Sequence, residues 1–483
     1  MKKPLICFYF NDLKSLPLAQ NFRRKLMTAV KIRQEDIIAC TPVENKKIYI
    51  REETGHFQKI RRYLNVVLVT LFVVLPFIQY QGQQAILFDV GRQTLTLFAW
   101  VLYPQDLMIF AFLFILAAFV LFLVTRHYGR VWCGFTCPQT VWTLAFNWVE
   151  RRIEGTHNQS KALDKQPSSL TKVVVKGAKH SAWLALSLVT ALVFMSYFYP
   201  ASRLYTEFFT FSAPALISGW TMFFAVCTYA NAGWLREKMC THMCPYSRFQ
   251  AAMFDNSTSL VTYNEARGES RGPRKRFSQH KDLGDCVDCK LCVQVCPAGI
   301  DIREGIQYEC INCGLCIDAC DKVMAKFGYP LKLINFSRAG RNSGRKFTNY
   351  LYGAAIIAIL LAMGEWAIDR QDFEASISRD RNALYRENNA GHIENTYTLT
   401  VLNKSRVAKT YEIAIETPSD MQLINVPTIN VAPGEKRNVP FSVEALSPMA
   451  NTMQSVSFVI IDKSTNSVIG NEVMFYSGNN RQM

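Results

Sequence analysis

The last 163 of the 483 residues hold no cysteine, and all 15 cysteines fall before residue 321. A chain this long, with its thiols confined to one part, is not a small secreted scaffold stapled by disulfides. Charge is also sparse, 19% against 49% apolar residues, which excludes a disordered tail or a fibrous repeat and suits roughly two to four domains. There is no C-x-x-C-H run, so covalent haem attachment is not expected. The N-terminal stretch is mixed and charged, with no long apolar region before a small-residue cleavage site, so no cleavable signal peptide is expected. Residues 1–26 fit no element, and Met1 and Met27 are both conceivable starts.

What is present is basic, with a net charge of +16. Divided by segment, residues 1–63 carry +8, residues 126–182 carry +6, residues 232–348 carry +6 and the remainder −4. These segments alternate with apolar runs at residues 63–80, 107–125, 183–199, 214–231 and 349–368. Each run is close to the roughly 20 residues that a membrane-spanning helix needs. Buried helices of a soluble protein are the alternative, but uncharged runs edged by Tyr, Trp or Arg favour five spans. The loops after the first and third runs hold one basic residue each, Arg92 and Arg203. The positive-inside rule therefore puts the N-terminus in the cytoplasm and the C-terminus outside. Charge in this pattern reads as topology, and no nucleic-acid partner is expected. Fourteen cysteines then lie on the reducing side, and Cys227 falls within a span.

Cys286, Cys289, Cys292 and Cys296 follow C-x-x-C-x-x-C-x-x-x-C with Pro297 behind them, and Cys310, Cys313, Cys316 and Cys320 repeat the spacing. This is the bacterial two-cluster ferredoxin pattern, in which the fourth cysteine of each run crosses to the other cluster. One [4Fe-4S] cluster is expected on Cys286, Cys289, Cys292 and Cys320, and a second on Cys296, Cys310, Cys313 and Cys316. Zinc is the alternative for paired C-x-x-C motifs, but two consecutive runs of four fit clusters better. Asp321 stands where a proline often follows.

A second constellation is duplicated. Cys133-Gly-Phe-Thr-Cys137-Pro138 follows the second run and Cys240-Thr-His-Met-Cys244-Pro245 the fourth, each leading into an amphipathic stretch. Proline after cysteine predicts that Cys137 and Cys244 cap helix N-termini, where the dipole favours thiolate. Two such units facing each other would gather four soft sulfurs at the cytoplasmic membrane surface, a site for Cu(I), Zn or an iron centre. Buried thiols packing beneath interfacial helices are the plainer alternative. His242, inside the second pair, is a further candidate metal ligand. His127 and His180 are weaker candidates for haem ligation, Cys227 reads as packing, and Glu365 reads as an interfacial carboxylate.

Past the fifth run, alternating stretches at 396–402, 410–416, 439–443 and 456–461, separated by turn signals, indicate an immunoglobulin-like β-sandwich without Trp or disulfide. Its Met421, Met449, Met453 and Met474 read as core residues, with copper-binding thioethers as the alternative. The expected fold is thus a polytopic α-helical membrane protein with a cytoplasmic two-cluster ferredoxin-like insert and a C-terminal sandwich. Its parts are a cytoplasmic segment 1–62, a membrane domain 63–231 of four spans in two repeats, and a cytoplasmic segment 232–348 with the insert at about 280–325. A fifth span at 349–368 and a periplasmic sandwich at 369–483 complete it.

Five spans, a C-x-x-x-C-P after the second and fourth, a two-cluster insert and an exported sandwich together resemble the cytochrome c oxidase accessory protein family, also called CcoG or FixG. The resemblance runs from about residue 46 to the end, most specifically at Cys133 to Pro138 and Cys296 to Glu304. It implies a bacterial inner-membrane protein that matures cbb3-type cytochrome c oxidase by reducing Cu(II) to Cu(I) for delivery. The partners expected are the membrane, copper or a copper chaperone or transporter and the oxidase assembly machinery; the clusters call for a cytoplasmic electron donor, and a homodimer is conceivable, although the sequence does not reveal the oligomeric state. The membrane ferredoxin subunit of a quinol dehydrogenase and a non-redox assembly scaffold are the alternatives.

Overall fold

The structure, a computed structural model, describes residues 47–254, 257–274, 283–338, 345–380, 383–388, 391–417, 420–424, 428–446 and 452–477. Residues 1–46, with Cys7, Cys40 and the two conceivable starts, lie outside the described residues. The principal helices are α1 (His56–Val74), α2 (Met108–Tyr128), α3 (Val131–Phe135), α4 (Pro138–Glu154), α5 (His157–Lys165), α6 (Leu170–Met195), α7 (Ala201–Phe209), α8 (Ala215–Thr228), α9 (Pro245–Ala252), α10 (Leu291–Gln294), α11 (Leu315–Phe327) and α12 (Arg345–Asp369).

Among the described residues four helical stretches are long and apolar enough to cross a membrane: His56–Phe77, Pro104–Tyr128, Leu170–Met195 and Phe347–Asp369. The expected fourth span, residues 214–231, is not one α-helix. α8 stops at Thr228 and the chain continues as a π-helical segment, Tyr229–Leu235. α6 starts well before its apolar run, because its first turns carry lysines that hydropathy rejects and ion pairs retain. Lys176 Nζ lies 2.6 Å from both Glu154 Oε1 and Asp164 Oδ1, and Lys179 Nζ lies 2.8 Å from Glu154 Oε1. Glu154, at the end of α4, is buried and also accepts a hydrogen bond from Ser160 at 2.6 Å. Partnering of this kind is what allows a buried carboxylate to stay charged.

The chain divides into two compact units. The first runs up to Phe77 and resumes at Phe112–Leu360. In it α6 packs on α4 and α8, with Phe146, Trp183 and Ala232 at the centre. It also holds the cysteine-rich insert, built on an antiparallel strand pair, Leu260–Tyr263 with Ile334–Ser337, and on α10 and α11. Pro297 follows the short α10, whereas Asp321 lets α11 run through Cys320 to Phe327. The Asp321 carboxylate instead receives the backbone N–H of Lys332 at 2.8 Å.

The second unit joins Ile78–Ala111 to the chain from Leu361 onward. Its sandwich has strands β1 (Phe373–Arg379), β2 (Ile393–Asn403), β3 (Lys409–Thr417), β4 (Met421–Ile424), β5 (Ile429–Val431), β6 (Lys436–Ala445), β7 (Met453–Asp462) and β8 (Val468–Tyr476). One sheet has the order β4-β6-β2-β1 and the other β5-β3-β7-β8, all antiparallel. The four expected strands are the interiors of β2, β3, β6 and β7. Alternate residues of β2, β6 and β7, among them Tyr397, Leu399, Phe441, Val443, Phe458 and Ile460, form the core. Met421 joins that core, but Met453 and Met474 point to solvent, correcting their reading as core residues; Met449 lies outside the described residues. The connection between α1 and α2 holds a short strand pair, Gln79–Tyr80 with Gln83–Gln84, and a three-stranded meander, Ile86–Asp89, Thr94–Leu97 and Trp100–Leu102.

Candidate functional site

α2 ends at Tyr128, and the chain reverses through Gly129, whose φ of +61° is open to glycine. α3 follows and carries Cys133. Cys137 is the N-cap residue of α4, with Pro138 in the first helical position, and Cys244 caps α9 in the same way ahead of Pro245. Cys240 sits in a π-helical turn, Met239–Met243. The duplication extends to a hydroxyl that sequence reading missed. Thr140 Oγ1 donates to the Cys133 carbonyl at 2.5 Å, and Ser247 Oγ to the Cys240 carbonyl at 2.7 Å. Each stands three residues after the second cysteine of its pair, so a repeated C-P-x-Thr/Ser was the legible signal.

The four thiols lie within electrostatic reach of one another. Burial pushes the Cys133 thiol up to about 12 and that of Cys240 up to about 11, and neighbouring thiols add to the effect. Cys137 receives the backbone N–H groups of Gln139 and Thr140, yet burial outweighs them and its pKa is also raised. The helix end favours thiolate at Cys137, as expected, and burial opposes it. Cys133 Sγ donates to Gln250 Oε1 at 3.1 Å, and Gln250 is in turn fixed by Thr125 and Tyr246. Among the described residues no three His, Cys, Asp or Glu side chains gather tightly enough to hold a single metal ion. The quartet is a set of neighbours without a closed coordination sphere. His242 is exposed and shares a 2.7 Å hydrogen bond with Thr241.

The eight cysteines of the insert fall into two groups. Cys296, Cys310, Cys313 and Cys316 line one enclosed cavity with Cys292, Val261, Ile300, Ile302, Ile311 and Leu315, and no charged or hydroxyl side chain enters it. Cys320 is drawn instead toward Cys292, Cys286 and Cys289, of which Cys289 is exposed. Burial pushes Cys292, Cys296 and Cys320 up to about 12 and Cys310 up to about 11. Thiols so placed stay protonated unless a metal centre supplies positive charge, and a lining of sulfur and aliphatic carbon suits a [4Fe-4S] group.

The insert and the cysteine quartet touch. A Cβ on Gly134, between Cys133 and Cys137, would stand 2.7 Å from the Ile311 carbonyl oxygen and 3.1 Å from Cys313 Cα. The buried Arg61 donates from Nε to the Gly134 carbonyl at 2.8 Å. Buried Asn312, between Cys310 and Cys313, donates to the Tyr128 carbonyl at 2.8 Å and accepts from the Val261 N–H at 2.8 Å. Arg130 bridges the rest: Nη1 donates to the Tyr308 carbonyl at 2.7 Å, Nη2 donates to the Ser247 carbonyl, and its charge favours the thiolate forms of Cys133, Cys240 and Cys310. Sequence reading missed Arg61, Gln250 and Asn312, since nothing in their spacing sets them apart, whereas Arg130 carries a signal, an arginine and a tryptophan shortly before each cysteine pair.

The other candidates lie elsewhere. His180 Nδ1 and Tyr229 OH are 2.9 Å apart, with the rings of Trp183 and Trp234 beside the histidine. His127 stands against Tyr128, Cys227 is part-buried within α8, and Glu365 is exposed on α12.

Residues 235–339 match the family model of a 4Fe-4S dicluster domain, and residues 364–478 match that of the IG-like fold at the C-terminal of FixG. Nitrogen fixation protein FixG of Rhizobium meliloti is 33% identical over 445 residues, covering 83% of this chain and 84% of its own. Protein RdxB of Cereibacter sphaeroides is 34% identical over 400 residues, 79% of this chain and 84% of its own. Among solved structures, a FixG-related protein from Vibrio parahaemolyticus is similar at 33% identity over 22% of this chain and 98% of its own, with a TM-score of 0.21.

Proposed function

The chain belongs to the FixG family, and from that premise we propose that it is a multi-pass inner-membrane electron-transfer protein serving cbb3-type oxidase assembly, which reduces Cu(II) to Cu(I). Cys286, Cys289, Cys292 and Cys320 hold one [4Fe-4S] cluster, and Cys296, Cys310, Cys313 and Cys316 hold the other. Clusters so held supply one-electron redox chemistry and no bond chemistry. Exposed Cys289 gives a cytoplasmic donor its approach, and the buried second group faces the quartet. The observation that carries the reading is the Gly134 contact, because it leaves no segment between the quartet's backbone and that of Ile311 and Cys313.

Copper is the substrate: bound Cu(II) accepts one electron from the donor and becomes Cu(I). Sulfur favours the softer ion, so Cys133, Cys137, Cys240 and Cys244 make the reduction easier. Copper entry requires Cys133 to leave Gln250 and the thiols to lose their protons, with Arg130 offsetting part of the resulting charge. With α8 and the π-helical segment that continues it to Leu235 counted together as a fifth crossing, the N-terminal side and the insert are cytoplasmic and the sandwich is periplasmic. A Cys137→Ser, Cys244→Ser double variant tests this: it should lose cupric reduction and copper binding while both cluster EPR signals persist. Parental Cu(II) reduction by that variant would move the copper site elsewhere.

One observation favours a second reading. His180 paired with Tyr229 between two tryptophans is the kind of titratable aromatic surface a quinol dehydrogenase subunit would need. Quinol-dependent reduction of the clusters, abolished by His180→Ala, would select it.

A further inference from the structure

Beside the group formed by Cys286, Cys289, Cys292 and Cys320, a guanidinium is held between two carboxylates. Arg303 Nε and Nη2 donate to Asp301 Oδ1 and Oδ2 at 2.8 and 2.6 Å, and Nη1 donates to Asp288 Oδ1 at 2.5 Å. The Arg303 side chain is 5% exposed. Asp288 stands between Cys286 and Cys289 in the chain, and Ile302, between Asp301 and Arg303, is buried and packs with Cys292. Buried Gln307 fixes the same turn by donating to the Asp301 carbonyl at 2.8 Å. The trio therefore lies along this cysteine group and acts on it: the guanidinium favours the Cys292 thiolate, and Asp301 opposes it.

A cluster held by four thiolates is already negative, and one added electron makes it more so. A nearby cation stabilises the reduced form and raises the potential, whereas a nearby carboxylate lowers it. Here the carboxylates outnumber the guanidinium, since Asp321 acts on Cys320 as well. Lys290 reaches Asp288, and Arg271 reaches both Asp288 and Asp301, but each does so from an exposed position where water screens it. The buried Arg303 is screened far less. Cys289, next to Asp288, is exposed, so this is the group that a donor meets first.

We propose that Arg303 sets the potential of the first [4Fe-4S] cluster: without being a ligand, it offsets Asp288 and Asp301 and so raises the potential at which that cluster accepts its electron. The inference rests on the proposed assignment of Cys286, Cys289, Cys292 and Cys320 to one cluster. A side chain that only ties the loop together is the plainer role, and the two roles differ in what a change of charge does.

The test is a redox titration of anaerobic full-length protein, followed by EPR. Arg303→Gln should lower the reduced-to-oxidised ratio of the first cluster about tenfold at a fixed potential, which is about 59 mV for a one-electron couple. Arg303→Lys keeps the charge but cannot reproduce the two-pronged pair with Asp301, and it should stay near the parental midpoint. Asp288→Asn, at a part-exposed position, should raise the midpoint. In a Cys289→Ser background, which removes the first cluster, Arg303→Gln should leave the remaining midpoint unmoved. A parental midpoint in Arg303→Gln, a lysine variant as low as the glutamine variant, a shift in the Cys289→Ser background, or a midpoint that fails to rise in Asp288→Asn would each overturn the proposal. Should Arg303→Gln shed its iron, Asp288→Asn decides. Parental protein without iron would instead sink the cluster assignment.

Discussion

Arg130 and Tyr308 meet twice, since the guanidinium donates to the Tyr308 carbonyl at 2.7 Å and lies 4.5 Å from the centre of the Tyr308 ring. A hydrogen bond and a cation–π contact from one buried side chain fix the cysteine-pair loop against the insert in a single arrangement. Electron transfer over a short, fixed distance needs that rigidity.

Gly134 is the point of closest approach, so Gly134→Ala should force the two backbones apart. We expect a loss of roughly 1–3 kcal/mol of stability, the usual cost of overpacking. Thermal unfolding measures the loss, and an altered EPR spectrum of one cluster should accompany it. An unchanged melting temperature would mean that the loops give way freely.

Cys289→Ser removes an exposed ligand from the first group. Iron should fall from about eight to about four atoms per chain, with the second cluster retained in its apolar cavity. Iron and labile-sulfide analysis of anaerobic protein decides this, and zinc in place of iron would refute both sites.

Glu154 carries a pH dependence. Burial opposes its charge, but hydrogen bonds from Lys176, Lys179 and Ser160 outweigh that and hold its pKa near 2, below the ordinary 4.5. A depressed carboxylate pKa stabilises the fold fully above about 4.5, and the contribution fades as pH falls toward 2. Glu154→Gln should cost about 3 kcal/mol at neutral pH and flatten the acid limb of the stability curve. Equal acid limbs in variant and parent would show that the network stores nothing.

Reporter tags near Gly155 and Ser270 should lie in the cytoplasm and a C-terminal tag in the periplasm, by the positive-inside rule. A tag at Arg92 should follow the C-terminal tag, because residues 78–111 belong to the same unit as the sandwich. Opposite locations for those two would break the topology.

The cysteine spacings and the sandwich's interior strands were legible because each is a local pattern, a ligand interval or a two-residue alternation. Outer strands such as β1 and β8 were not, since only their pairing with β2 and β7 identifies them. The early start of α6 was hidden because Lys176 and Lys179 look solvated until Glu154 is seen beside them. The roles of Asn312 and Gly134, and the partner of Arg130, were hidden for a similar reason: they lie in contacts across more than 100 residues of chain. The helix-end support for a thiolate at Cys137 was legible because it is local, and the burial that opposes it was not.

Arg406 Nη1 donates to the Tyr80 carbonyl across 326 residues of sequence, and Lys404 reaches Asp106 across 298. Contacts of such high sequence separation form late, after a long loop has closed. During synthesis the 78–111 meander emerges first and must wait for a partner still on the ribosome. A chain cut short after α12 would leave Asp106 without Lys404 and the Tyr80 carbonyl without Arg406.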